Sequence, residues 1–234
     1  MENNIQTINR CPVITGIAAL LVVLFAYTVV IYLCPIQHLG LDAMKWRFVG
    51  TRLFFWLLLL GLAVYTNKVE HRSICATEQK KYPWWFYVVA FIVVYFILAL
   101  GSGLLLAFSK LISKNQISQN YAPMRQLFLR YPIMAFLAGA TAGVTEEYFF
   151  RGYLQSRLTL LFHKNIGIIV SALLFGLMHY SYGTLIQVLF PFYLGLIFSL
   201  FYDRYKNIRF LIVFHFIWDA IALYHLTHLK TILF

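Results

Sequence analysis

The chain has 234 residues, 62% of them hydrophobic and 12% charged, with a formal net charge of +11. A soluble domain is nearer half apolar and a quarter charged, so this composition excludes an ordinary soluble globule and points to a membrane protein. The positive charge does not mark a nucleic-acid binder. Lys and Arg fall mostly in short connections between apolar runs, as anchoring at anionic headgroups requires, and no basic stretch is interleaved with exposed aromatics.

The apolar runs are continuous rather than alternating, which predicts an all-α, polytopic transmembrane helical bundle and not a barrel. In chain order the predicted spans cover about 13–34, 50–66, 84–109, 133–160, 166–182, 184–203 and 208–228. Seven is the central count within a range of six to eight, and the second span is short unless it begins near Lys45. Glu2 and Arg10 precede the first run without a small-residue cleavage site after it, so it reads as a retained span. The less apolar stretches 35–52 and 110–131 read as connections. Within the latter, Met124 to Tyr131 reads as a short interfacial helix ahead of Pro132, with Arg125 and Arg130 at the headgroups. Pro191 and Gly195 predict a kink in the sixth span. Tyr82, Trp84, Trp85 and Tyr202 near segment ends read as interfacial belts.

The whole forms one integral membrane domain: N-terminal helices and connections over 1–132, and the helices that carry polar groups over 133–234. Cys11, Cys34 and Cys75 have neither metal-like nor paired spacing and receive no disulfide or catalytic role. The bases divide almost evenly between the two sides of the predicted membrane, Arg52 and Lys45 among those near the second span. In the C-terminal half, Arg157, Lys164, Arg204, Lys206 and Arg209 against Lys230 favour cytoplasmic turns at 161–165 and 204–209.

The acids are distributed unevenly. Glu146, Glu147 and Asp219 lie in predicted spans, together with His179 and His215, whereas Glu2, Asp42, Glu70, Glu78 and Asp203 fall in terminal or connecting segments. Ionisable groups at bilayer depth are costly and persist where they line a pathway or carry chemistry. Glu147 and Arg151 are four apart and so share a helical face, while Glu146 is turned about 100° from Glu147. That spacing divides the labour: a structural Glu147–Arg151 ion pair, and Glu146 left as the reactive carboxylate. His179 stands one turn after Phe175, and His215 and Asp219 are again four apart. At about 1.5 Å per residue, Glu146, His179, Asp219 and His215 lie roughly 9–24 Å from one end of their spans, within one broad layer.

The three pieces, Glu146-Glu147-Tyr-Phe-Phe-Arg151, Phe175-Gly-Leu-Met-His179 and His215-Phe-Ile-Trp-Asp219, resemble the signature of the CAAX-protease and bacteriocin-processing family of intramembrane endopeptidases. The resemblance covers roughly 133–220. It implies cleavage of a membrane-anchored protein or peptide, often close to the substrate's C-terminus. It also implies catalytic roles for Glu146 (general base on water), His179 (binding or polarising that water), and His215 with Asp219 (holding the oxyanion). Glu147, Arg151 and Phe175 take structural or positioning roles. The prenyl-protein branch is usually associated with Asn where this chain has Asp219. An ionised Asp cannot donate to an oxyanion, so that role requires Asp219 protonated or confined to orienting His215. The bacterial branch accepts either residue, which favours a bacterial cell membrane. Glu146, His179 and His215 also have donor chemistry suited to zinc, though without the His-Glu-x-x-His signature; metal-free activation of water is the alternative. Ser171 and Ser181 lack the context of a nucleophile turn, which weighs against a serine hydrolase. The competing functions are a proton- or ion-coupled transporter and a non-catalytic immunity or scaffold protein.

Overall fold

A computed structural model describes residues 10–112 and 121–228. It is all helical, with no strand among the described residues. Three long helices come first: α1 (Arg10–Leu33), α2 (Leu41–Lys68) and α3 (Trp84–Ile112). The short α4 (Tyr121–Arg130) leads into α5 (Pro132–Glu147), a π-helical stretch (Tyr148–Gln155) and α6 (Ser156–Leu161). The chain then forms α7 (Lys164–Leu177), α8 (Ile186–Tyr205) and α9 (Ile208–His228), with a 3₁₀ turn at Tyr180–Tyr182. Among the described residues six segments are long and apolar enough to cross a membrane, or seven if the bent run from α4 through α6 is counted as one span. The chain is thus an integral, multi-pass membrane protein, as its composition predicts.

The bend between α4 and the run that follows is 112°. Pro132 sits at the first position of α5, where its missing N–H removes nothing, and Tyr131 before it leaves helical geometry at φ −133°, ψ 77°. Pro191 lies inside α8, which remains one assigned helix through Tyr205.

The buried positions of α1 (Val13, Gly16, Leu20, Leu24) and α3 (Ala90, Val94, Leu98, Ser102) recur every three or four residues. Each helix therefore turns one stripe to the bundle and leaves large apolar groups such as Phe25 and Phe96 exposed, as a lipid-facing helix should. Small residues set the closest approaches. A Cβ on Gly143 would stand 2.9 Å from the Ile212 carbonyl oxygen and 3.2 Å from the Phe216 nitrogen, so α5 lies directly on α9. Gly176 lets α7 approach α8 in the same way.

Several connecting residues differ from their predicted setting. The second span begins at Leu41 rather than near 50. Asp42 therefore lies in the first turn of α2, paired with Lys45 at 3.2 Å, and Arg52 is well inside the helix. Asp203 belongs to the last turn of α8, 2.9 Å from Lys206. Arg157 is not a headgroup anchor: it is wholly buried, 2.8 Å from Glu70, and donates to the Ser73 and Ile74 carbonyls. The Tyr153 hydroxyl donates to the same carboxylate at 2.7 Å. A fully buried guanidinium needs such saturation, and here the connection between α2 and α3 supplies it. The connection is also held by Gln79, which accepts from the Ile208 N–H, and by Asn207, which donates to the Lys80 carbonyl. Cys75, part of this connection, is buried, and that burial pushes its thiol up from the ordinary range. With Arg157 and Arg52 inside the protein, the charge count loses two of its surface bases; Lys230 lies outside the described residues.

Candidate active site

Glu146 and Glu147 end α5, just before the helix widens into its π-helical stretch. Such widened turns collect at functional sites because they re-aim the side chains around them. This one is braced by its neighbours: Ser171 of α7 donates to the Phe150 carbonyl and Ser156 to the Arg151 carbonyl.

The two acids have separate surroundings. Glu147 is fully buried, and its Oε1 accepts from Arg151 Nη1 and from His215 Nδ1, both at 2.8 Å. The Arg151 guanidinium lies over the rings of Phe175 and Phe198, at 4.5 and 5.3 Å from their centroids. Phe175 is therefore a platform: its ring also meets those of His179 and His215, at 5.1 and 6.2 Å. Glu146 makes no ion pair of its own with Arg or Lys among the described residues, and its side chain retains 19% exposure towards a cavity.

His215 and Asp219 stand one turn apart on α9. With Nδ1 turned to Glu147, His215 aims Nε2 between Asp219 Oδ1 at 3.8 Å and Glu146 Oε2 at 4.0 Å. At those spacings one oxygen atom of a water or a substrate bridges Nε2 to either acid. His179 Nδ1 lies 2.8 Å from the Phe175 carbonyl. A carbonyl only accepts, so Nδ1 carries the hydrogen and Nε2 keeps its lone pair. Both imidazoles are thus fixed through Nδ1, with Nε2 left for chemistry.

Glu146, His179, His215 and Asp219 line one cavity of about 690 Å³. The structure thereby gathers all four residues predicted to react, and it places Glu147, Arg151 and Phe175 behind them. The hydrogen bond from His215 to Glu147 was not legible in the spacing, which pairs His215 with Asp219 alone. Nor was the far wall, formed by Tyr27 of α1 and by Phe48, Arg52 and Phe55 of α2. A lone Arg inside an apolar run, flanked at helical spacing by Phe48 and Phe55, is the signal that marks that wall. Among the described residues no group of three His, Cys, Asp or Glu is placed to hold a metal ion. Glu146, His179 and His215 thus do not form a zinc-ligand cluster in this geometry.

Residues 128–221 match the family model for the Rce1-like type II CAAX prenyl endopeptidases. The matched segment holds all three motifs. The segment is similar to a CAAX-protease domain. The Rce1-like segment starts within α4 and ends within α9, so α1, α2 and α3 lie outside it. No curated protein and no solved structure matches the chain significantly. The family implies an intramembrane protease acting on a membrane-embedded protein substrate.

Proposed function

We propose that this chain is an intramembrane endopeptidase that hydrolyses a peptide bond of a membrane-anchored protein or peptide, near its C-terminus, with water activated by Glu146 and His179. The observation that carries the reading is the division between the two adjacent acids. Glu147 is held through Oε1 by Arg151 and His215, whereas Glu146 faces the cavity unpaired by Arg or Lys among the described residues.

In this mechanism water donates one hydrogen to Glu146 and the other to His179 Nε2, whose tautomer the Phe175 carbonyl fixes. Glu146 takes the proton as the water oxygen bonds to the scissile carbonyl carbon. His215 Nε2–H donates to the oxyanion. Because Nδ1 also donates to Glu147, His215 does this as an imidazolium, its charge matched by Glu147. Asp219, an acceptor when ionised, positions that Nε2–H instead of touching the oxyanion. The C–N bond then breaks and Glu146 returns its proton to the leaving amine. The Asp at 219 favours the bacterial branch of the family, and so a bacterial cell membrane.

The test is cleavage of a membrane-anchored peptide by the purified protein in detergent, read by mass spectrometry. Glu146→Gln should lower the rate by about 10²–10⁴-fold while leaving the melting temperature unchanged, the usual scale for a general base. A Glu146→Gln protein that cleaves at the wild-type rate would falsify the assignment. Solute flux without any cleavage would favour transport in its place.

A further inference from the structure

Arg52 is the one Arg or Lys among the residues lining the cavity. Phe48, Arg52 and Phe55 occupy one face of α2, and the two rings hold the guanidinium from either side, at 4.9 and 5.9 Å. Trp56, one turn on, donates to the Thr141 hydroxyl and fixes α2 against α5. The side chain is therefore placed rather than loose. Yet Arg52 donates no hydrogen bond and makes no ion pair among the described residues, and its Nε is buried without a partner. The other two guanidinium groups sunk in the bundle are each matched to an acid: Arg151 to Glu147 and Arg157 to Glu70, both at 2.8 Å. Arg52 is half-buried with its Nε shielded, and a cation held at bilayer depth without an anion is costly and marks a ligand pathway.

The ligand this group fits is an anion that arrives with the substrate. Glu146 and Asp219 share the cavity but stay beyond ion-pairing distance of Arg52. They repel an incoming carboxylate everywhere except at the guanidinium. Its planar fork of donors matches a carboxylate with two parallel hydrogen bonds, a match that neither a carboxamide nor a single carbonyl oxygen makes. We propose that Arg52 binds the C-terminal carboxylate of the peptide whose scissile bond lies at Glu146, so that α2 measures the distance from the cleavage point to the chain end. This rests on the endopeptidase reading above. It adds a specificity residue from outside the segment that matches the family.

The experiment uses the full-length Glu146→Gln protein in detergent and a pool of lipid-anchored peptides made in three forms: free C-terminal acid, C-terminal amide, and amide with an internal Glu near the end. Retention of the acid form should exceed that of the amide by on the order of tenfold, the scale of a charge-assisted hydrogen bond. The ratio should fall to about one in Glu146→Gln/Arg52→Gln and take an intermediate value with Arg52→Lys, which keeps the charge and loses the fork. Equal retention of acid and amide overturns the proposal, and so does a ratio that survives Arg52→Gln. Retention of the internal-Glu amide as strong as that of the acid overturns the terminal assignment. Should the Gln variant fail to fold, the acid-to-amide ratio on the Arg52 protein still decides. Cleavage by the wild-type chain is measured separately, so a failed protease reading is distinguishable from a failed carboxylate contact.

Discussion

Replacing Glu147 with Leu removes the acceptor shared by two buried donors. Glu147 Oε1 receives Arg151 and His215 at 2.8 Å each, and both Glu147 and Arg151 are fully buried. Breaking a buried pair by removing one partner costs about 3–5 kcal/mol, because the other charge is left uncompensated. Glu147→Leu belongs at the upper end, since it strands Arg151 and His215 together. Arg151→Met belongs nearer 3 kcal/mol, because Glu147 keeps its bond from His215. The double variant Glu147→Leu/Arg151→Met leaves no stranded guanidinium. Only His215 lacks an acceptor, a loss of about 1–3 kcal/mol, so the pair should be more stable than Glu147→Leu alone. Thermal unfolding in detergent, followed by tryptophan fluorescence, orders the three variants. Peptide cleavage supplies the second reading: the double variant should regain stability without regaining activity, because His215 is no longer fixed through Nδ1. Single variants that melt like the wild type, or costs that simply add in the double variant, would refute this account.

Gly143→Ala should destabilise the fold by about 1–3 kcal/mol and depress cleavage, since its methyl would stand 2.9 Å from the Ile212 carbonyl oxygen and push α9 from α5; the two melting curves check this. Glu70→Gln should loosen the connection between α2 and α3 by taking the charge from Arg157, and limited proteolysis of residues 69–83 should accelerate while Glu146-dependent cleavage persists. Burial pushes the Cys75 thiol up, so at neutral pH it stays protonated and the reactive thiolate is scarce. Maleimide should therefore label the exposed Cys11 and Cys34 well before Cys75, with Cys75 labelling rising only at alkaline pH or on unfolding. Mass mapping of the labelled peptides reads the order.

Hydropathy alone carries most of this fold, because a span must be apolar along its length whatever it packs against. The predicted 166–182 and 208–228 correspond closely to Lys164–Tyr182 and Ile208–His228, and Pro132 marked the turn into α5. The four cavity-facing residues were legible because an acid or a His within such a run has few structural reasons to be there. Helical spacing also foretold the Glu147–Arg151 pair. What it could not foretell depends on tertiary contact. The Glu147–His215 bond joins α5 to α9, and the π-helical stretch is a local widening with no hydropathy signature. Arg157 reads from sequence as a surface base because its partner, Glu70, is 87 residues away. Arg52 is hidden in the same way, because a span starting near residue 50 puts the base at its edge, whereas α2 starts at Leu41.

The cavity is built by two parts of the chain, one inside the segment that matches the family model and one outside it. Its hydrolytic side comes from helices within residues 128–221, whereas Tyr27, Phe48, Arg52 and Phe55 on the opposite side come from α1 and α2, beyond the matched segment. On the proposed mechanism, chemistry and selectivity reside in separable pieces of sequence. Exchanging the first two helices between related chains would redirect which polypeptides enter while leaving the hydrolytic apparatus untouched. A fragment cut down to the matched segment would keep every reacting group and open that apparatus sideways to lipid.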